Sequence, residues 1–191
     1  MNMKGLAAAI FAAFAACQVS AQGAGTEDDG GLNMGETIVD GRTVGEEFIK
    51  EEFGDWSHRC VMNADGTEIC NSYQLLLDQD GNRVAEISLF PLANAGEAAA
   101  GGTIVTPLET LLTRQITIQI DGGAARRYPF TFCSAGGCVA RVGFTQADVD
   151  AFKRGAEATM TIVPFASPDR PVALSVSLTG FTAAYDGLEA L

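Results

Sequence analysis

The chain has 191 residues, with 24 acidic and 12 basic side chains, a formal net charge of −12 and an isoelectric point near 4.3. This balance excludes charge-driven binding to nucleic acid or to anionic lipid, and it favours solubility and basic partners. A chain of this length fits one domain with a sizeable hydrophobic core.

Residues 1–21 have the composition of a secretory signal peptide. Lys4 precedes the apolar run Gly5–Ala16, and the small residues "VSA" end at Ala21. The run is shorter than the roughly 20 apolar residues of a membrane-spanning helix, and no later segment of the sequence reaches that length. The sequence therefore predicts an exported protein, periplasmic or secreted, with no transmembrane segment in the mature chain.

Cys17 gives a second interpretation of the same segment. Small residues precede it, as in lipoprotein signals, although Phe14 stands where leucine is usual. Processing at Cys17 would give an outer-membrane lipoprotein, whereas cleavage after Ala21 discards this cysteine. The mass of the mature protein distinguishes the two, because acylation makes the chain heavier.

The next segment, residues 22–45, is acidic and contains several glycines but few bulky apolar side chains. This composition predicts a flexible leader. We interpret the leader as a solvated spacer that precedes a single β-rich domain at residues 46–191.

From Phe53 onward, short apolar segments alternate with turn residues. The segment "ITIQI" alternates cleanly, so we expect one of its faces to be buried. Asp-Gly pairs in "NADGTE" and "DQDGNR" favour tight hairpins. The fold class that follows is all-β, a mainly antiparallel sandwich or barrel. The predicted strands are Trp56–Met62, Ile69–Leu77, Arg83–Phe90, Ile116–Ile120, Tyr128–Cys133, Val139–Phe144, Ala158–Val163 and Val172–Leu178.

One segment has helical character. Thr145 is a predicted N-cap, and Asp148 stands three residues later, at the second position of a capping box. Val149 and Phe152 share one face of the predicted helix, and Gly155 ends it. We predict one short helix at residues 145–155, packed over the sheet, and a further helical turn in "GFTAAYDGL".

Four cysteines follow the signal peptide: Cys60, Cys70, Cys133 and Cys138. An even number in an exported protein predicts two disulfides, and sequence separation favours Cys60–Cys70 with Cys133–Cys138 among the three pairings. A zinc site is the competing use, but nine residues separate the first pair. A redox couple is disfavoured too, because strand-like segments flank the second pair instead of a helix. No metal and no cofactor is predicted.

The segment "DQDGNR" also resembles part of a calcium loop, because Asp78, Asp80 and Asn82 alternate. A complete loop needs a glutamate at its twelfth position and helices on both sides. Here the twelfth position is Leu89 and the flanks have strand character. A hairpin turn is the favoured interpretation.

Catalytic motifs are scarce in this sequence. His58 is the only histidine, so any Ser-His-Asp or Cys-His mechanism must use it. Strand alternation places His58 on the same face as Trp56 and Cys60, which we expect to be the core face. No catalytic residue is predicted.

Arg126, Arg127 and Tyr128, together with Arg141, form the predicted binding surface. Arginines beside an aromatic ring can contact an anionic group through charge and planar hydrogen bonding. The alternative is that these residues are solvated strand ends paired with nearby acids.

Three stretches in order, "FGDWSHRC", "RYPFTFCSAGGCVARVGFT" and "LSVSLTGFTAAYDGL", resemble the invasion-associated locus B family of alphaproteobacteria over about residues 45–188. One departure is "VTPLETLL", where such proteins usually carry a Leu-Pro-Leu-Gly-like segment. The resemblance implies an exported, β-rich, disulfide-bonded protein, which supports the all-β domain and both local cysteine pairs. It supplies no catalytic residues.

Two functions from different classes follow. The first is an exported, disulfide-stabilised, non-enzymatic cell-envelope protein that binds a protein or surface partner and no nucleic acid. The alternative is a periplasmic small-ligand-binding protein, or an unrecognised hydrolase that uses a cleft between sheets and His58. A pocket and its lining would discriminate between them.

Overall fold

The computed structural model describes residues 35–93 and 95–191, and short strands make up much of this part of the chain. Two α-helices, α1 Gln146–Arg154 and α2 Phe181–Asp186, and a 3-10 helical turn at Leu112–Arg114 accompany them. None of the helices described is long and apolar enough to span a membrane. In chain order the strands are β1 Ile38–Val39, β2 Arg42–Thr43, β3 Glu47–Phe53, β4 Trp56–Met62, β5 Glu68–Leu77, β6 Arg83–Pro91, β7 Ala100–Thr106, β8 Ile116–Ile120, β9 Arg126–Tyr128, β10 Phe132–Ser134, β11 Gly137–Phe144, β12 Glu157–Ile162 and β13 Val172–Ser177.

The strands form two antiparallel sheets and one small hairpin. The larger sheet has seven strands in the order β10-β11-β7-β6-β5-β4-β3, and the smaller has four in the order β13-β12-β8-β9. Buried apolar side chains from both sheets meet in one cluster. The domain is therefore an all-β sandwich, and the predicted fold class is confirmed.

Strand alternation places the core side chains. In β4, Trp56, His58, Cys60 and Met62 are buried, and the residues between them are partly exposed. The same two-residue period is visible in β8, the segment whose alternation the sequence shows most clearly. Successive side chains of a strand point to opposite faces, so these residues turn one face toward the opposing sheet.

Five aromatic rings form a continuous series through the core. The ring centroid of Trp56 lies 5.0 Å from that of Phe181, and Phe181 lies 5.5 Å from Phe152. Phe152 lies 5.3 Å from Phe144, and Phe144 lies 5.6 Å from Tyr128. Such tilted and edge-on pairs each stabilise the fold by about 0.5–1.5 kcal/mol beyond burial. We call these five residues the aromatic row; it joins both sheets and both helices.

A polar contact also connects the two sheets. The indole Nε1 of Trp56 donates to the carbonyl oxygen of Ser177 at 2.7 Å, and the amide Nε2 of Gln74 donates to the same oxygen at 3.0 Å. Ser177 ends β13, an edge strand of the smaller sheet. These two bonds fix that strand end against β4 and β5 of the larger sheet.

The helix α1 forms where the sequence predicts it. The backbone N–H of Asp148 donates to the hydroxyl of Thr145, and the backbone N–H of Thr145 donates to the Asp148 carboxylate at 2.9 Å. This reciprocal capping box satisfies N–H groups that have no partner inside the helix. Val149 and Phe152 are the buried residues of α1, and α2 forms in the second segment predicted to be helical.

The segment Tyr128–Cys133 is not one strand, and that prediction was wrong. Tyr128 ends β9 in the smaller sheet, whereas Phe132 begins β10 in the larger one. Pro129 has no N–H to donate to a strand ladder. Residues 129–131 instead carry the chain from one sheet to the other.

Two strands of the larger sheet have no counterpart among the predicted strands. β7 begins with Ala-Gly-Gly, a composition more typical of turns. In the sheet, the Phe90 ring covers Gly101 so closely that a Cβ there would lie 2.5 Å from the ring. β3 is an edge strand with mostly exposed, acidic residues, so it lacks the apolar alternation of a half-buried strand.

A short hairpin lies inside residues 22–45, the segment predicted to be a flexible leader. In it, β1 pairs with β2, Ile38 opposite Thr43. Residues 36–191 form one compact unit. The predicted signal peptide at residues 1–21, Cys17 and the leader as far as residue 34 lie outside the described residues.

Each of the two disulfides joins neighbouring strands. Cys60 faces Cys70 across β4 and β5, and Cys133 faces Cys138 across β10 and β11. This is the pairing that sequence separation favours. Each bond joins a buried cysteine, Cys60 or Cys138, to a more exposed one. The first bond connects two interior strands of the larger sheet, and the second secures its edge strand β10.

Replacing Cys133 and Cys138 by serine should lower the free energy of unfolding by roughly 2–3 kcal/mol. It should also loosen β10, because this strand pairs with β11 alone. Hydrogen exchange followed by mass spectrometry should show faster exchange at Phe132–Ser134. The matched control, C60S/C70S, should lose similar stability and leave β10 protected. Cross-pairing between the two sets in non-reducing peptide maps would contradict this arrangement.

Gly180 allows the backbones of two segments to touch. It precedes α2 with φ of +86°, and a Cβ at this position would overlap the carbonyl oxygen of Phe53. Gly81 has a similar φ of +81° in a hairpin turn, but a Cβ there would meet no atom within 4 Å. The two glycines have nearly the same backbone conformation, but only Gly180 is in close contact with another segment.

Gly180→Ala should destabilise the domain by roughly 3 kcal/mol or more, because backbone strain and steric overlap add. Gly81→Ala should cost only the strain of a left-handed alanine, roughly 1–2 kcal/mol. Urea unfolding of both variants measures the difference. Equal losses would show that the contact between Gly180 and Phe53 relaxes easily.

Candidate functional site

The four residues of the predicted binding surface do not form a single site. Arg126, Arg127 and Tyr128 are consecutive in β9, and Arg141 lies in β11 of the other sheet. Arg126 and Tyr128 pair with buried isoleucines of β8 and share their inner face, whereas Arg127 pairs with Thr117 and points outward. β9 therefore contributes to two sites on opposite faces of the smaller sheet.

The outer site begins with a polar hollow beside β9. Arg127 and Arg114 line this hollow, which has a volume of about 370 Å³, together with Thr113 and Gln115. Arg114 belongs to the 3-10 helical turn that precedes β8. Two guanidinium groups from separate segments thus face the same small volume.

An apolar groove of about 250 Å³ adjoins the hollow and shares Thr113 and Gln115 with it. Leu112 and Phe132 line this groove, and they are 40% and 45% exposed. The Arg141 guanidinium lies 5.9 Å from the centre of the Phe132 ring, within reach of a cation–π contact. We define the basic–apolar face as Leu112, Arg114, Arg127, Phe132 and Arg141.

The charge of the basic–apolar face is not neutralised locally. Within residues 35–93 and 95–191, none of its three arginines forms an ion pair with a carboxylate. All three are exposed. Arg127 and Arg141 are among the residues predicted from the sequence. Leu112, Arg114 and Phe132 are not, because they come together only through the positions of the strands and the 3-10 turn.

The inner site is a half-open cavity of about 380 Å³ lined by β8, β9 and α1. Charged side chains of Asp121, Arg126, Asp148 and Arg154 also border it. The exposed lining of the cavity is about equally polar and apolar. Three of its apolar residues belong to the aromatic row; the apolar lining residues include Ile118, Ile120, Tyr128, Phe144, Ala151 and Phe152.

Both carboxylates at the cavity already have partners. Asp148 accepts hydrogen bonds from the backbone and hydroxyl of Thr145 and lies 3.1 Å from Nη1 of Arg126. Asp121 accepts from two backbone N–H groups at the start of β12, at 3.1–3.2 Å. Arg154 is exposed and forms no ion pair within the described part of the chain. Arg154 is therefore the charged side chain at the cavity that has neither a hydrogen bond nor an ion pair within the described residues.

His58 lies beneath α2, on the core face that the sequence predicts for it. It is 6% exposed, its Nε2 lies 2.7 Å from the carbonyl oxygen of Ala184, and its ring lies 4.6 Å from that of Phe53. His58 borders a hollow of about 810 Å³ that Thr67 also lines. The Thr67 hydroxyl donates to Asp65 at 2.6 Å. The His58 imidazole and the Thr67 hydroxyl are therefore both hydrogen-bonded to other residues of the chain.

Cys60, Glu68 and Cys70 are the one set of potential metal ligands that lie close together in the described residues. The two sulfur atoms are bonded to each other, so neither can serve as a thiolate ligand. The arrangement is a disulfide beside a carboxylate.

The calcium-like segment closes as a hairpin turn between β5 and β6. The Asp78 carboxylate accepts hydrogen bonds from the backbone of Asp80 and from the backbone and side chain of Asn82. These bonds, first among them the one from the Asn82 side chain, lower the pKa of Asp78. The carboxylate is the internal acceptor of its own turn.

Burial raises the pKa of each of the three tyrosines above 10.0. For Tyr73, a hydrogen bond with Glu86 adds to burial. For Tyr128, the negative charge of Asp148 raises the pKa further and the positive charge of Arg126 lowers it. The folded state thus favours the neutral phenol at all three positions.

Stability should fall as the pH rises above about 10, because the phenols of the unfolded chain ionise before those of the folded one. The stabilisation is complete below the unfolded pKa and is lost as the pH rises through the higher folded values. Melting temperatures measured between about pH 8 and 11 test this. In the Tyr185→Phe variant, the melting temperature should fall less steeply with pH. A flat profile, with tyrosinate absorbance growing in the folded protein, would contradict the burial argument.

Comparisons with known proteins agree on one family. The family model described as invasion associated locus B (IalB) protein matches residues 56–189. Invasion protein B homologs from two Brucella abortus strains, 2308 and biovar 1 (strain 9-941), are each 31% identical over 147 residues, 77% of this chain and 83% of theirs. The crystal structure of invasion associated protein b from Bartonella henselae matches with a TM-score of 0.58 at 24% identity. It covers 70% of this chain and 90% of the other, which shows a common fold.

Proposed function

The chain belongs to the invasion-associated locus B family, and from that premise we propose that it is an exported, non-enzymatic cell-envelope protein that binds a protein partner. The observation that carries this proposal is the basic–apolar face. The names of the relatives refer to invasion; for this chain we propose the binding step alone.

Export rests on the predicted signal peptide at residues 1–21 and on the two disulfides. Disulfides persist in oxidising compartments and are rare in the cytosol. Lipidation at Cys17 is the alternative form of attachment to the envelope. We place the start of the folded domain at residue 36, because the β1–β2 hairpin belongs to the same compact unit as the sandwich.

A non-enzymatic role is supported by the environment of His58. A general base must reach its nucleophile and be able to accept a proton from it. His58 is buried, and its Nε2 is hydrogen-bonded to the carbonyl of Ala184. We infer that this imidazole fixes α2 against β4.

The basic–apolar face has the composition of a protein-binding hot spot. Interface energy concentrates in aromatic and arginine side chains that become desolvated on binding. Phe132 offers an exposed ring, and Arg114 and Arg127 offer charge that no carboxylate of the described residues pairs with. The net charge of −12 opposes nucleic acid. The molecule as a whole favours basic partners, but the three arginines make this face locally positive, so the contact surface that fits it is acidic and partly apolar.

The double variant R114E/R127E should lose its partner. Immobilised mature protein is incubated with a detergent extract of cell envelopes from its own organism, and retained proteins are identified by mass spectrometry. Wild type should retain at least one protein, and the variant should recover roughly tenfold less of it, since two attractive charges become repulsive.

The control is R42E/K50E, which reverses two charges away from the basic–apolar face. Lys50 lies in β3, the edge of the larger sheet opposite β10, and Arg42 lies in the β1–β2 hairpin. Unlike Arg114 and Arg127, both are ion-paired within the described residues, with Glu68 and Glu46. The control variant should retain the partner at the wild-type level. The proposal would be wrong if wild type retained no protein beyond those that an inert control protein retains. It would also be wrong if wild type and both variants retained the same proteins in equal amounts. Unchanged melting temperatures of both variants show that folding is not the cause.

A further inference from the structure

We propose that the cavity between β8, β9 and α1 binds a small molecule with an apolar body and an anionic head group. This site lies on the inner face of β9, so it is separate from the basic–apolar face and does not depend on the proposed partner binding. Its volume of about 380 Å³ lies within the size range of ligand sites, roughly 300–1,000 Å³.

The walls of the cavity select an apolar body. The accessible apolar surface comes from the half-buried side chains of Ile120, Tyr128 and Ala151. The buried rings of Phe144 and Phe152 lie behind them. Phe144 and Phe152 are fixed by the aromatic row, so this part of the wall is preformed. Each square ångström of apolar ligand surface removed from water gains about 25 cal/mol.

The charges around the cavity select an anionic head. Asp148 is paired with Arg126, and Asp121 accepts hydrogen bonds from two backbone N–H groups, so each carboxylate already has a partner in the chain. Arg154 is free of ion pairs within the described residues, and Arg126 uses one nitrogen for Asp148. A guanidinium presents a planar set of donors that suits carboxylates and other oxyanions.

Ala151 gives the cavity room on the side of α1. It lines the cavity between the last two turns of the helix, and its side chain is the smallest that keeps helical propensity. A large side chain at this position would project into the space that a ligand needs. The position therefore allows a blocking variant that leaves the charges unchanged.

Octanoate serves as the probe. Octylammonium has the same apolar chain with a cationic head, and acetate has the anionic head without the long chain. Binding is measured by isothermal titration calorimetry and by changes in amide shifts. Octanoate should bind to wild type with shift changes at β8, β9 and α1, and the other two compounds should bind much more weakly. No octanoate binding, equal binding of octylammonium, or shifts confined to the hollow beside His58 would overturn the proposal.

Arg154→Gln should weaken octanoate binding on the order of five- to tenfold, the loss expected for one partly solvated charged hydrogen bond. The matched control Arg170→Gln lies in the loop before β13, at the other edge of the smaller sheet, and should bind as wild type. Ala151→Phe should abolish binding. Unchanged binding in R154Q or in a folded A151F would contradict the assignment.

A readout in the wild-type protein covers the case in which A151F does not fold. Nuclear Overhauser contacts should connect octanoate methylene protons with ring protons of Phe152 and Tyr128. Contacts with other rings only would overturn the site. R114E/R127E should bind octanoate normally, so failure of this proposal and failure of the proposed partner binding can be distinguished.

Discussion

The aromatic row is the interaction on which the rest of this sandwich depends. It starts at Trp56 in β4, passes through both helices and ends at Tyr128 in the smaller sheet. Each contact fixes the tilt of the next ring, so the row sets how the helices and the edge of the smaller sheet rest on the larger sheet. Its far end also forms a wall of the cavity. Packing of the core and the shape of the cavity therefore have one physical origin.

Local patterns in the sequence predict much of this fold. "ITIQI" gives β8 with its bounds, and the alternation after Trp56 gives β4 with its buried face. The capping box at Thr145 gives the start of α1. These features depend on neighbours within a few residues, so the sequence displays them directly. The resemblance to the invasion-associated locus B family, which depends on the order of three longer stretches, is confirmed by the comparisons.

What the sequence does not display is the geometry between distant segments. β7 pairs with β6 on one side and with β11 on the other, and its Gly101 leaves room for the Phe90 ring of β6. No pattern within β7 indicates these contacts. Arg126 and Arg127 are adjacent in sequence, yet strand alternation assigns one to the cavity and the other to the outer hollow. Leu112 and Phe132 share a groove because the chain changes sheets after Pro129. Sites formed by residues of both sheets can be predicted only when the strand registers of both sheets are known.

The disulfide pattern has a consequence for biosynthesis. Cys60 and Cys70 are ten residues apart, and Cys133 and Cys138 are five apart. In a chain that emerges amino terminus first, the native partner of Cys60 is the next cysteine to appear, and the same is true of Cys133. Loops this short close rapidly and with little loss of entropy, so the first bond can form before Cys133 has emerged. Oxidation in order of emergence gives the native pairing directly, and no exchange between wrongly paired cysteines has to follow.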